Sequence, residues 1–121
     1  MKYRKYGSTV FLTVAKGEEI IETIKGIAKK ENMSLAKIDG IGFTDDIDLR
    51  VYDSVNDCFV SRHFEIPMEI SSLSGNIVNE QDAYKIHIHV NAADTEMQIH
   101  GGHLLRCVVG AICELFIEIF A

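Results

Sequence analysis

Hydrophobic and polar residues alternate with a period of two through most of this chain, and with a helical period in one place. Thr9-Val10-Phe11-Leu12-Thr13-Val14 is rich in β-branched residues and predicts a strand, broken at Lys16-Gly17. From Glu18 to about Glu31, Ile20, Ile21, Ile24, Ile27 and Ala28 recur at spacings of three and four, which predicts one main helix over about residues 18–31. Acidic residues lead this segment and lysines trail it, as the helix dipole favours, and Asn32 offers a stop. Gly26 within it costs about 1 kcal/mol against alanine, which suggests that another element approaches closely there. Beyond the helix the pattern predicts strands at 36–43, 47–52, 58–65, 68–77, 83–93, 97–100, 104–110 and 113–120. Turn signals at Asp45-Asp46, Val55-Asn56-Asp57 and Asn79-Glu80-Gln81-Asp82 separate several of them. Many short strands and one helix imply an α+β fold, a mostly antiparallel β-sandwich or barrel-like sheet.

Within Ile86-His87-Ile88-His89-Val90-Asn91 the even positions are aliphatic and the odd ones polar. Both imidazoles therefore share one strand face, close enough to converge on one ion at roughly 2.0–2.1 Å per bond. His103 is the natural third ligand, and the preceding Gly101-Gly102 is expected to make a sharp reversal that brings it in. Neutral imidazoles suit several transition metals, and three nitrogens with an open fourth position match zinc best. Without a metal, the same histidines would line a polar cleft. His100 is a possible fourth ligand or a residue supporting the other three, and Asn91 continues the histidine face and could orient a bound ligand. Glu69 is the candidate for acid-base work, equally readable as a paired structural carboxylate. Arg106 could hold a carboxylate bidentately, although three residues from His103 it faces the other side of a strand. His63, between Arg62 and Glu65, reads as a surface histidine.

Length and composition narrow the classes. At 121 residues the chain fits a single domain, 1–121, and 47% hydrophobic residues suffice for a core. No run approaches the ~20 apolar residues of a membrane span, and Met1-Lys2-Tyr3-Arg4-Lys5-Tyr6 lacks the apolar centre of a signal peptide, so a cytoplasmic location and no membrane partner are expected. Cys58, Cys107 and Cys113 form no C-x-x-C and read as reduced thiols. A net charge of −6 argues against unaided nucleic-acid binding, and the basic Lys2, Arg4 and Lys5 read as a solvated, flexible end. In the last strand Glu114, Phe116, Glu118 and Phe120 form a half aromatic, half acidic face that suits a subunit interface.

Five segments in register resemble the PPC domain, "plants and prokaryotes conserved", also known as domain of unknown function 296. They are Gly17-Glu18-Glu19 before the helix, Gly40-Ile41-Gly42, the run Glu69 to Ile77, His87-Ile88-His89-Val90 and Gly101-Gly102-His103-Leu104. The resemblance spans about Val10 to Ile119. It implies a mostly antiparallel β domain with a prominent helix, a homotrimer, and a metal-binding unit carried over to His87, His89 and His103. Plant members join the domain to an AT-hook; no such Arg-Gly-Arg-Pro segment occurs here, where the one proline is Pro67. A more distant likeness is to acetolactate decarboxylase, a zinc enzyme with a close histidine pair and a third. The functions implied are a metal-binding module for a small ligand or partner, a metal-dependent enzyme on a small oxygenated acid, or a DNA-associated regulator.

Overall fold

The computed structural model describes residues 1–121. It contains β1 (Lys2–Tyr6), β2 (Thr9–Ala15), α1 (Ile20–Lys30), β3 (Leu35–Asp53), β4 (Cys58–Phe64), β5 (Met68–Glu80), β6 (Ala83–Ala93) and β7 (Ile99–Ile119). The fold is α+β: one seven-stranded sheet, ordered β1-β2-β7-β6-β5-β3-β4, with an additional β7–β3 pairing and a single helix. All the strand pairings are antiparallel. The pairings β3–β5, β5–β6, β6–β7 and β7–β3 run in a circuit, so the sheet curls onto itself as a barrel. No helix is long and apolar enough to cross a membrane.

Two pairs of short strands expected from the residue pattern are instead long, bent strands. Asp45-Asp46 does not reverse the chain; β3 continues through it with register shifts against β7 at Gly42/Thr44 and Thr44/Asp46. A polar interruption can be absorbed as a bulge when a side chain replaces the lost ladder bond. Thr44 does this: fully buried, its hydroxyl donates to the Val108 carbonyl at 2.7 Å and accepts from the Asp46 amide at 3.1 Å. Likewise 104–110 and 113–120 form one strand that begins at Ile99. Nor do Gly101 and Gly102 turn the chain, since both lie within β7. The reversal before them is at 94–98, where the Asp94 carboxylate accepts from the Glu96 and Gln98 amides at 2.9 and 3.0 Å and Met97 takes a positive φ of 61°. The glycines instead let strands close up: a Cβ at Gly101 would lie 2.5 Å from Asn91 Oδ1, and one at Gly102 2.8 Å from the Arg50 carbonyl oxygen.

The N-terminal segment is an edge strand rather than a free end. Alternation turns Tyr3 inward, where its hydroxyl donates to Glu31 at 3.0 Å, and Lys5 reaches the same carboxylate at 3.2 Å. The outward basic side chains guard an exposed sheet edge. Helix α1 starts at Ile20, the first residue of its apolar pattern, and not at the expected 18, because Glu19 is extended and acts as the N-cap. Its carboxylate accepts from Ile21 and Glu22 and, at 2.9 Å, from the Cys107 amide of β7. The helix is thereby tied to the sheet at its first turn. Ile20, Ile24, Ile27 and Ala28 point into the same core as Ile38, Leu73, Ile77, Ile88, Leu115 and Ile117.

Gly26 fills no close contact: a Cβ there would meet nothing within 4 Å. Gly75 is the opposite case, since a Cβ would overlap the His87 carbonyl oxygen and lie 2.8 Å from Ile88 Cα. Gly26→Ala is therefore expected to stabilise the protein by about 0.5–1 kcal/mol, and Gly75→Ala to destabilise it by about 1–3 kcal/mol. Urea denaturation checks both signs.

Candidate metal centre

The outward face of β6 presents His87, His89 and Asn91, while Ile88, Val90 and Ala92 are buried behind it. β7 runs antiparallel beside it, and His103 is the direct cross-strand partner of His89. Directly opposed residues share a face, so strand alternation and one register pair place all three imidazoles together. Ring centroids are 5.1 Å apart for His87–His89, 5.1 Å for His87–His103 and 5.4 Å for His89–His103. The Nε2 atoms of His87 and His89 lie 3.2 Å apart, and one nitrogen from each of the three rings falls within 4.8 Å of the others. Tetrahedral zinc with bonds near 2.05 Å needs ligand nitrogens roughly 3.3 Å apart. One pair already has that spacing, and small rotations would bring in the third.

The electrostatics keep His103 in the form a metal requires. Burial, then the Arg50 guanidinium and then the two neighbouring imidazoles, hold its pKa below the usual histidine value. A neutral imidazole has its lone pair free for coordination. Arg50 carries no recognisable sequence signal for this site. It is the β3 partner of His103, brought there by the β3–β7 pairing that closes the sheet.

The other residues singled out by the sequence lie at varying distances from the three rings. Asn91 is on their face, where its amide nitrogen donates to Ser72 Oγ at 3.1 Å and staples β6 to β5. His100 opposes the buried Ala92, on the other face of β7. Its Nε2 meets Asp94 at 2.8 Å and its ring lies 4.9 Å from that of Phe64, so it stabilises the β6–β7 turn and does not join the three imidazoles. Glu69 pairs with Ala93, four residues along β6 from His89, or roughly 13 Å at ordinary strand rise. It lines a separate open cavity of about 530 Å³ with Ile41, Phe43, Ile112 and Glu114. Arg106 does grip a carboxylate bidentately, but one of its own chain: Nη1 and Nη2 donate to the Asp46 oxygens at 2.7 and 2.9 Å.

His63 is exposed, as its sequence setting suggests, yet it is not isolated. It contacts Asp48 and, at 2.8 Å, Glu65, with Asp46 3.9 Å away. Glu65 and then Asp48 raise its pKa. These acids with His63 could in principle hold a cation, but Arg106 already neutralises Asp46 and, at 3.5 Å, touches Asp48. Because the folded-state pKa of His63 is raised, its contribution to stability is present below about 6.5 and fades as pH rises through the folded value. In metal-free protein, NMR titration of the ring protons is expected to show His103 protonating below pH 6.5 and His63 above it. The reverse order would contradict these environments.

Comparison with known proteins agrees with this architecture. The Plants and Prokaryotes Conserved (PCC) domain family matches residues 1–121. No curated protein matches the chain in sequence. Among solved structures, a proposed DNA-binding protein of Bacteroides thetaiotaomicron superposes with a TM-score of 0.95 at 24% identity, covering 99% of this chain and 84% of that one. A plant- and prokaryote-conserved protein of Pyrococcus horikoshii gives 0.86 at 27% identity, with 99% and 83% covered. A metal-containing protein of Archaeoglobus fulgidus gives 0.85 at 27% identity, with 98% and 85% covered. With the family match spanning every strand and the helix, the chain belongs to the Plants and Prokaryotes Conserved domain family.

Proposed function

We propose that this protein is a homotrimeric metal-binding module whose open three-histidine site takes a small ligand or a partner group. The observation that carries this reading is the convergence of His87, His89 and His103 through one strand face and one register pair. Three imidazoles with no cysteine among them resemble an open zinc site more than a closed structural one. When bound, zinc would supply Lewis acidity and a free coordination position. The chain's own part is to hold three imidazole donors on one sheet face, with Asn91 beside them fixed by Ser72. The metal-containing Archaeoglobus fulgidus structure supports the reading by similarity.

The enzyme reading, turnover of a small oxygenated acid, shares the same site and differs in needing a proton-transferring group. Glu69 is too far along the sheet to serve the three histidines of its own subunit, which favours binding over turnover. The DNA-associated reading has the support of the Bacteroides thetaiotaomicron protein's description. Against it stand a net charge of −6 and a basic N-terminal segment partly committed to Glu31.

Trimerisation is supported by an apolar patch on the outer side of β2, β3 and β7. Phe11 and Phe116 pack at a tilt with centroids 5.0 Å apart, and Ile41, Ile112 and Phe116 are each about half exposed. Such a patch is larger than isolated exposed residues and suits a contact between copies.

Elemental analysis of protein purified without a histidine tag is expected to give about one transition metal per subunit, zinc foremost. His89→Ala should remove it and His63→Ala should not; a wild-type protein that stays metal-free after zinc addition would sink the proposal. Sedimentation equilibrium is expected to show a trimer, disrupted by Phe116→Glu, whereas a wild-type monomer at micromolar concentration would remove the assembly.

A further inference from the structure

We infer that Arg50 makes the histidine site an oxyanion site, so that its ligand is a small carboxylate or phosphate held jointly by the guanidinium and the metal. The inference rests on the metal reading above. Arg50 and His103 are direct partners across the β3–β7 ladder, which puts their Cβ atoms roughly 4.5–5.5 Å apart on one face. The guanidinium is packed over the Phe59 ring at 4.1 Å, and that ring in turn packs at a tilt against Tyr52, with centroids 5.5 Å apart. This platform holds the guanidinium by cation–π contact without using its N–H groups.

No acid of the chain answers Arg50. The acids nearest to it in the ladder are engaged elsewhere: Asp48 with His63 and Arg106, Asp53 with the Val55 and Asn56 amides, Asp57 with the Tyr52 hydroxyl. Arg50 Nε is buried and has no hydrogen-bond partner. In a chain with 18 acidic and 12 basic residues, an arginine left without an acceptor beside three metal-type donors is poorly explained by stability alone. Its positive charge also opposes the loading of a cation on His103. A ligand bearing negative oxygens resolves both at once, accepting from the guanidinium and offsetting the repulsion between the two positive centres. The flat, forked edge of the guanidinium favours a planar carboxylate over a tetrahedral phosphate. Anion and metal binding should then reinforce each other.

The test is calorimetric titration of zinc-loaded protein with glycolate and, separately, inorganic phosphate. Wild type, Arg50→Gln, Arg50→Lys and Arg62→Gln are compared after elemental analysis has shown equal zinc loading. Arg62 is the control because, although it lines a cavity with Arg50, it sits over Phe64 at 4.7 Å and pairs with the core-facing Leu49, on the strand face opposite the three histidines. Arg50→Gln is expected to weaken anion binding about tenfold or more, Arg50→Lys less, and Arg62→Gln not at all. A stronger glycolate signal identifies a carboxylate site and a stronger phosphate signal a phosphate site. Wild-type affinity in a folded Arg50→Gln, or no anion binding by zinc-loaded wild type, overturns the inference. Should none of the proteins load zinc, the metal reading fails on its own. The same titrations on metal-free protein then decide Arg50: a loss confined to its variants sustains its role, and equal binding removes it.

Discussion

The register between β6 and β7 is the constraint on which both the core and the histidine cluster depend. His89 opposite His103 brings the third imidazole to the first two, and the same alignment puts Val90 and Ala92 into the interior. Because side chains alternate, a slip of one residue would turn the histidines inward and the aliphatics outward. The alignment is held from both ends. At the turn, Asp94 gathers two backbone amides and His100; along the strand, Gly101 and Gly102 admit Asn91 and the Arg50 carbonyl where no side chain would fit. Core burial and site assembly are therefore one energetic event, and the cluster needs no separate folding term of its own.

A second consequence of closure is that residues far apart in sequence acquire chemistry together. β3 pairs with β7 along most of its length, delivering Arg50 to His103 and Asp46 to Arg106. These two arginines show the difference between a structural and an available cation. Arg106 has both ends of its fork filled by Asp46, and that pair answers the charges of its neighbourhood. Arg50 stacks on Phe59 and leaves its polar edge unanswered. The same residue type is a tie in one place and a recognition element in the other.

Much of the fold was legible in the residues. Period-two alternation marked the strands, the three-four spacing of isoleucines marked α1, and His87-x-His89 announced its shared face. The misreadings have a common cause. Asp45-Asp46 and Gly101-Gly102 carry turn chemistry, yet both lie inside strands, because a buried Thr44 hydroxyl in one case and close strand approach in the other compensate for what would ordinarily end a strand. Lys5 looked free because Glu31, its partner, sits at the far end of the helix. Local signals state a preference, and long-range pairing overrides it when the bonds it offers are better.

By itself, then, the sequence determined which residues face water and which face the core, since that follows from the spacing of side chains along a local backbone. It also determined the donor set, three imidazoles whose chemistry belongs to the residue type. Only the tertiary structure decided which strands lie side by side and in what register. It thereby drew His103 to His89, set Arg50 against them, left Glu69 about four strand residues away and turned His100 to the opposite face. Those outcomes depend on closing the sheet through β3 and β7, a sum over many distant pairings that no short segment encodes.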